Sequence, residues 1–336
     1  MRLLFVRIAV IAACVLFALQ LSAQNPNNPI QLALLRWYQA NTAAQLTTCQ
    51  SPDGMAFDGS HIWLACLGPK EILEFNASDG ALVRTVGPLA VPPYPLAYDG
   101  ANIWATNYSA GTVIEVNAST GALSGPFTVG LEPSGIVFDG KQIWVTNAGN
   151  NSISSVSISP TAGTVTNYPA FPAADCATPQ GIAFDGTNLW VACHDLNTIL
   201  QVSTSTGAML NFVTVGAEPA SIVFDGETGQ TSPCGTGGPF VWVTNNSEAT
   251  VSRVSITPPF ALTSFPAGSE PSAIVFDGLY IWIANTQAGT VTKLSQCTGA
   301  PVGASPYLLP GEPQSMGFDG GNIYVSIRGG GVVSKM

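Results

Sequence analysis

Four glutamates stand at one position of a repeated phrase, each directly before a proline. They are Glu132, Glu218, Glu270 and Glu312. The proline fixes the backbone but gives no reason for a carboxylate beside it. Carboxylates gathered at one place repel one another unless a cation bridges them, and clusters of oxygen ligands suit Ca²⁺ or Mg²⁺. The pattern predicts a site for one of these cations, and the alternative is four side chains that each point into water.

A second repeated position carries residue types that can move protons. His194-Asp195 and Arg328 stand where other copies of the phrase have residues around an asparagine. With Glu270, the His194-Asp195 pair is the candidate for acid–base catalysis, although a lone histidine is often structural. No Ser-His-Asp order, phosphate loop or cofactor fingerprint occurs in the sequence.

Asparagines at the same position are candidates for direct contact with a ligand, together with Arg328. They are Asn107, Asn147, Asn245 and Asn285. The alternative role is structural, because asparagine tolerates a left-handed backbone and often caps a turn.

The phrase that carries these positions occurs seven times. Each copy has an aromatic residue followed by Asp-Gly and, a few residues later, a second aromatic that is usually Trp. The aspartates are Asp58, Asp99, Asp139, Asp185, Asp225, Asp277 and Asp319. Subtracting successive numbers gives steps of 41, 40, 46, 40, 52 and 42 residues. A period of about 40–45 residues with several short strands per unit is typical of propeller blades, so we predict an all-β, seven-bladed β-propeller of four-stranded antiparallel blades.

The copy from Pro133 to Asn147 shows how a blade is organised. Its Asp139-Gly140 pair predicts a tight hairpin between strands A and B, and two more strands, C and D, complete the blade. In a propeller the A strands line the central channel. The D-to-A and B-to-C connections form the top face, and the A-to-B and C-to-D turns form the bottom face. The glutamates and His194 are therefore predicted on the top face. The hairpin aspartates are predicted to accept bonds from turn amides on the bottom face, and the paired aromatics to fill the core.

The two ends of the chain predict how the ring closes. The seventh copy has strands A, B and C but no outer strand. We predict that Leu32 to Gln39 supplies it by pairing with Gly331 to Lys335, because closure removes exposed sheet edges. The predicted division is a signal peptide over 1–23, a tail over 24–31 and a single propeller over 32–336.

The first 23 residues have the features of a secretory signal. Arg2 and Arg7 give a basic start, an apolar run follows, and Ala23 offers a cleavage site. An uncleaved anchor and a lipoprotein signal at Cys14 are the alternatives, although the apolar run is short for a membrane span. We predict a periplasmic or secreted protein with no membrane span after cleavage.

Six cysteines remain beyond the leader, as expected of a protein in an oxidising compartment. Cys49 and Cys66 are 17 residues apart, and so are Cys176 and Cys193. Because both pairs fall at the same place in the repeat, we predict a disulfide within each pair. No Cys-x-x-Cys spacing suggests a cysteine zinc site.

Two further cysteines match neither pattern. Cys234 lies in an insertion within the fifth A-to-B hairpin, and Cys297 lies in the sixth C-to-D turn. Both turns belong to the bottom face, so we predict a Cys234–Cys297 bridge between neighbouring blades, with two free thiols as the alternative.

Composition limits the kinds of partner. Charged residues are 9% of the chain and the net charge is −10. Removal of Arg2 and Arg7 leaves 8 basic and 20 acidic residues, or −12. Binding to nucleic acid depends on clustered Lys and Arg, which this sequence lacks, so no nucleic-acid partner is expected. We predict a monomer that binds a small molecule, glycan or protein on its top face.

Several phrases resemble a known repeat. The YVTN repeat resembles the phrase Ile143-Trp144-Val145-Thr146-Asn147 and its counterparts that end at Asn107 and Asn245. The Val-Gly-x-Glu-Pro segments that precede strand A also resemble that repeat. The chain is similar to the broad YVTN/NHL propeller group, which includes virginiamycin B lyase-like proteins. In that lyase group the resemblance implies top-face histidines and a glutamate with a divalent metal. Here His61 lies in a bottom turn and only His194 is on the top face, so the histidine pair has no match.

The sequence therefore favours an exported propeller that binds a ligand or partner in its top-face funnel without catalysis. The alternative is a metal-dependent lyase or lactonase-type hydrolase that uses the acidic residues at the channel mouth.

Overall fold

The computed structural model describes residues 45–49, 51–158, 163–226 and 239–336. Within these ranges the chain forms seven four-stranded antiparallel sheets, each one blade of a β-propeller. The first thirteen strands are β1 (Gln45–Thr47), β2 (Pro52–Phe57), β3 (His61–Cys66), β4 (Glu71–Asn76), β5 (Leu82–Val86), β6 (Leu96–Tyr98), β7 (Asn102–Asn107), β8 (Thr112–Asn117), β9 (Leu123–Thr128), β10 (Pro133–Phe138), β11 (Gln142–Asn147), β12 (Ser152–Ser157) and β13 (Val165–Asn167). The others are β14 (Pro179–Phe184), β15 (Asn188–Cys193), β16 (Thr198–Ser203), β17 (Met209–Thr214), β18 (Pro219–Phe224), β19 (Phe240–Asn245), β20 (Thr250–Ser255), β21 (Leu262–Pro266), β22 (Pro271–Phe276), β23 (Tyr280–Asn285), β24 (Thr290–Ser295), β25 (Tyr307–Leu308), β26 (Glu312–Phe318), β27 (Ile323–Arg328) and β28 (Val332–Lys335). The predicted fold class, a seven-bladed propeller of four-stranded blades, is confirmed.

Six blades are simple meanders in which consecutive strands pair, as β10-β11-β12-β13 do in the third blade. The seventh blade differs, because its outer strand is β1, which pairs with β28 in the register Leu46↔Val333. The segment predicted for this place, 32–39, lies outside the described residues. The strand that the structure places beside β28 comes later in the chain, at Gln45–Thr47.

The hairpin aspartates hold the bottom face together. In the fourth blade Asp185 Oδ1 accepts hydrogen bonds from the Thr187 and Asn188 amides at 2.8 and 2.7 Å, and Oδ2 accepts one from Trp190 Nε1 at 2.8 Å. The predicted turn role of the aspartates is confirmed. The sequence did not indicate the bond to the indole, which recurs at Trp63, Trp104, Trp144, Trp242 and Trp282.

The hydrophobic core lies between neighbouring blades. Trp144 of the third blade, for example, packs in one cluster with Ile182, Leu189 and Leu200 of the fourth. The strand B tryptophans are buried, whereas the strand A phenylalanines are half-buried at the edge of each cluster. Each blade therefore needs its neighbour to cover its apolar face.

Among the described residues, no helix combines the length and the apolar character that a membrane crossing requires.

Candidate functional site

A cavity of about 400 Å³ follows the channel axis, lined by residues near the start of all seven A strands. An apolar ring of the cavity is made by Met55, Leu96, Ile136, Ile182, Ile222, Ile274 and Met316. Two residues earlier along these strands, nearer the top face, lie the polar side chains of Asp53, Ser134, Gln180, Ser272 and Gln314. Small-molecule sites span about 300–1,000 Å³ and combine apolar walls with a few polar groups, which matches this lining.

Asp53 is the one charged side chain among the residues that line the cavity. Burial raises the pKa of its carboxyl, and the positive charge of Arg328 offsets part of that effect. Arg328 ends β27 and is exposed on the top face. The funnel thus contains the Asp53 carboxyl, and the Arg328 guanidinium is close enough to lower the pKa of that carboxyl.

The narrow approach of neighbouring A strands sets the shape of the channel. A Cβ on Gly135 would lie 2.2 Å from the carbonyl oxygen of Gln180. Any larger residue at this position would therefore require the two strands to move apart. The Thr146 hydroxyl accepts a hydrogen bond from the Gly135 amide at 2.8 Å and donates to the Gln180 carbonyl oxygen at 2.5 Å. Thr146 therefore links the A strand of the third blade to that of the fourth.

Three of the glutamates before the prolines have a left-handed backbone conformation on the top face. Glu132, Glu218 and Glu270 have φ of 53°, 54° and 52°. Their carbonyl oxygens accept hydrogen bonds from the first amide after strand B, for example that of Ala148 for Glu132. A left-handed backbone favours glycine or asparagine, so it does not explain why glutamate stands here. The explanation must come from the contacts of the glutamate side chain.

The side chains of these glutamates have different neighbours. Glu132 accepts a hydrogen bond from the Tyr108 hydroxyl at 3.0 Å, and Glu218 accepts one from the Ser247 hydroxyl. Glu270 is exposed, and Glu312 lies in β26 opposite Arg328. Within the described part of the chain, no three of the four have ligating oxygens within 4.8 Å of one another. A Ca²⁺ or Mg²⁺ ion at the channel mouth stays a prediction, and it requires several of these side chains to turn toward one point.

His194 and Asp195 form a polar cluster with one of the glutamates. His194 Nδ1 lies 2.7 Å from Asp195 Oδ1, and His194 Nε2 lies 4.0 Å from Glu218 Oε2. A hydrogen bond from Thr178 at 2.6 Å, and then the one from His194, lower the pKa of Asp195. The structure thus brings His194 and Asp195 together on the top face, as the sequence indicated, with Glu218 rather than Glu270 beside them.

The four asparagines predicted as ligand contacts are buried in this structure, with at most 2% of each residue exposed, and direct contact with a ligand stays a prediction. Asn147 donates from Nδ2 to the hydroxyls of Ser152 and Ser154 at 3.0 and 2.9 Å, and its Oδ1 accepts from the Gly130 amide at 3.1 Å. Asn107, Asn245 and Asn285 also donate to a hydroxyl of their own strand C. These hydrogen bonds fit the alternative role, in which the amides hold the B-to-C turn.

Two disulfides join the segment just before strand A to the end of strand B. Cys49–Cys66 and Cys176–Cys193 are both formed, as predicted. Cys297 is disulfide-bonded as well, but its predicted partner Cys234 lies outside the described residues, so the Cys234–Cys297 pairing stays a prediction. The two described bridges are consistent with an oxidising extracellular compartment.

Sequence reasoning missed Asp53. The residue after the strand A proline is Ser134, Gln180, Ala220, Ser272 or Gln314 in five other blades, and only the first blade has a charge there. Alignment of the A strands at their prolines, with the knowledge that these strands line the channel, would have found it.

The fold and the funnel define the class of protein: a seven-bladed β-propeller with a cavity at the top of its channel. No family model and no curated protein matches the chain. A virginiamycin B lyase from Staphylococcus aureus is similar in structure, with a TM-score of 0.72 and 17% identity over 88% of this chain and 98% of that one.

Two other propellers are equally similar. Hydrazine synthase of Kuenenia stuttgartiensis has a TM-score of 0.71 and 15% identity over 85% of this chain and 95% of that one. The β-propeller domain of Cps50 (Swd1) from Myceliophteria thermophila has a TM-score of 0.71 and 11% identity over 88% and 99%. The likeness to virginiamycin B lyase-like proteins is therefore confirmed for the fold alone, because propellers host unrelated activities.

Proposed function

We propose that this exported propeller binds a small molecule in the cavity at the top of its channel. The observation that carries the proposal is the lining of that cavity, in which a single carboxyl, Asp53, stands among neutral polar groups above an apolar ring. Asp53 is half-buried, and a carboxyl in a cavity whose pKa is raised by burial is a candidate functional group. Binding requires no reaction, so the proposal is a binding protein without catalysis.

The chemistry of the lining favours a compact ligand with a protonated amine. Asp53 offers a negative charge, the Gln180 and Gln314 amides offer donors and acceptors, and Ile182 and its counterparts offer an apolar floor. The net charge of −10 also favours cations near the surface. A glycan or a protein on the top face is the competing partner, and a monomer remains the expected state.

A screen of melting temperatures tests this proposal. Primary amines, neutral sugars and small carboxylates are each added to the wild-type protein, to Asp53→Asn and to His194→Asn. We expect some amines to raise the melting temperature of wild type and of His194→Asn but not of Asp53→Asn. A response confined to carboxylates, or one that Asp53→Asn leaves unchanged, would contradict the proposal.

A metal-dependent lyase or lactonase is the second candidate, favoured by the cluster of His194, Asp195 and Glu218 on the same face. In this case His194 is the acid or base and Asp195 orients its ring. The test is turnover of lactones and cyclic depsipeptides with Ca²⁺ or Mg²⁺ present. Metal-dependent turnover that is lost in His194→Asn and Glu218→Gln would replace the first proposal, and Glu270→Gln serves as the comparison.

A further inference from the structure

Three side chains that bind metals in many proteins meet on the bottom face of the first blade, opposite to the funnel. Asp58 lies in the hairpin, His61 begins β3, and Glu74 lies in β4. Among the described residues they form the one group of three such side chains whose ligating atoms all lie within 4.8 Å of one another. His61 Nδ1 is 3.1 Å from Asp58 Oδ2 and 3.5 Å from Glu74 Oε1.

Glu74 is the most buried of the three side chains and has an incompletely bonded carboxylate. Only 2% of the residue is exposed, and its Oε2 has no hydrogen-bond partner although Arg84 Nε lies 3.3 Å away. The ion pair with Arg84 offsets part of the cost of burying this carboxylate, and a second cation bound at Oε1 would offset more of it.

We propose that Asp58, His61 and Glu74 bind a divalent transition metal of the Zn²⁺ type. The ligands are Asp58 Oδ2, His61 Nδ1 and Glu74 Oε1, with water in a fourth position reached past the His61 ring, 31% of which is exposed. Zn²⁺ bonds of about 2.0–2.2 Å in a tetrahedron set neighbouring ligands about 3.3–3.5 Å apart, close to the 3.1 and 3.5 Å found here.

The surroundings of the three ligands suit this assignment. Trp63 Nε1 donates to Asp58 Oδ2 at 2.8 Å, which fixes the orientation of that carboxylate. With a neutral imidazole, the two carboxylates and Arg84 leave a net charge of −1, so a divalent cation is attracted. The competing explanation is that His61 Nδ1–H donates a hydrogen bond to Asp58 Oδ2 and that no metal is present.

The second blade supplies a natural comparison. It has Asp99 and Glu115 at the matching positions but Asn102 in place of the histidine, and Asn102 Nδ2 lies 3.2 Å from Asp99 Oδ2. Asparagine also stands at this position in the fourth and seventh blades, as Asn188 and Asn322. His61→Asn therefore removes a ligand while keeping a residue that the blade already accommodates.

Metal titration of chelator-treated protein tests the proposal. Zn²⁺ binding is followed by calorimetry, and Co²⁺ binding by the visible absorption of four-coordinate cobalt, in wild type, His61→Asn, Glu74→Gln and His194→Asn. We expect one ion per chain in wild type and in His194→Asn. The affinity is expected to fall by at least about tenfold in His61→Asn and Glu74→Gln. Circular dichroism confirms that each variant is folded.

Three results would overturn the proposal. They are the failure of wild type to bind either ion, equal affinity in wild type and His61→Asn, and loss of binding in His194→Asn instead. The third would place the ion on the top face. Because the cluster lies on the opposite face from Asp53, the first two results leave the proposed function untouched. The third result would favour the metal-dependent candidate at His194 instead.

Discussion

Replacement of Asp185 by alanine tests how strongly the hairpin aspartates hold the blades. The carboxylate accepts three hydrogen bonds of 2.7–2.8 Å, and only 2% of the residue is exposed. Loss of the partner leaves the fully buried Trp190 indole N–H without an acceptor, which costs about 1–3 kcal/mol. The two turn amides are nearer to solvent and can bind water, so each adds about 0.5–1 kcal/mol. Their sum predicts a loss of about 2–5 kcal/mol in the free energy of unfolding.

Urea denaturation followed by tryptophan fluorescence measures this loss. Asp79→Ala is the matched control, because Asp79 is an exposed turn aspartate that accepts one amide bond at 3.0 Å, and we expect a change below about 1 kcal/mol. In a double-mutant cycle, Asp185→Ala and Trp190→Phe should be coupled by about 1.5–3 kcal/mol. If Asp185→Ala costs no more than the control, or the cycle shows no coupling, the reasoning is refuted.

Three further predictions concern the funnel, the ring and the third disulfide. Because burial raises the pKa of Asp53, the ionised carboxylate costs stability at neutral pH, and this cost fades as pH falls through the raised pKa. Asp53→Asn should therefore raise the urea midpoint at pH 7, by an amount that shrinks in acid; a lower midpoint would contradict the assignment. Leu46 is 8% exposed in the outer strand of the seventh blade, so Leu46→Ala should cost about 2–5 kcal/mol. Leu82→Ala, at an outer-strand leucine that is 56% exposed, should change stability by less than about 0.5 kcal/mol, and equal effects would show that β1 packs weakly. Peptide mapping without reductant should recover Cys234 linked to Cys297, whereas a free thiol at Cys234 would exclude the bridge.

The architecture could be predicted from the sequence because its signal is repeated seven times. Each Asp-Gly pair requires the same hairpin, and a glycine such as Gly140, with φ of 91°, allows the turn. The paired cysteines were predicted for the same reason, since matched repeat positions imply matched geometry. The strand that pairs with β28 was harder to place, because a strand of three residues carries little periodicity.

The candidate site was predicted less well because its decisive features depend on neighbours in space. The asparagines have the residue type of a ligand contact, but the hydroxyls of strand C enclose them. The glutamates share a repeat position, yet their side chains bind different partners around the ring. Asp53 and His61 each differ from the residues at the same position in the other blades, and a search for shared residues passes over such differences.

The affinity of the funnel for an amine tests the central claim most directly. Calorimetry at pH 7 with the amine that most stabilises wild type compares wild type, Asp53→Asn and His194→Asn. A hydrogen bond to a charged group contributes about 1.5–3 kcal/mol, so the account predicts binding about 10–150-fold weaker in Asp53→Asn and unchanged in His194→Asn. Equal affinity in wild type and Asp53→Asn would contradict it.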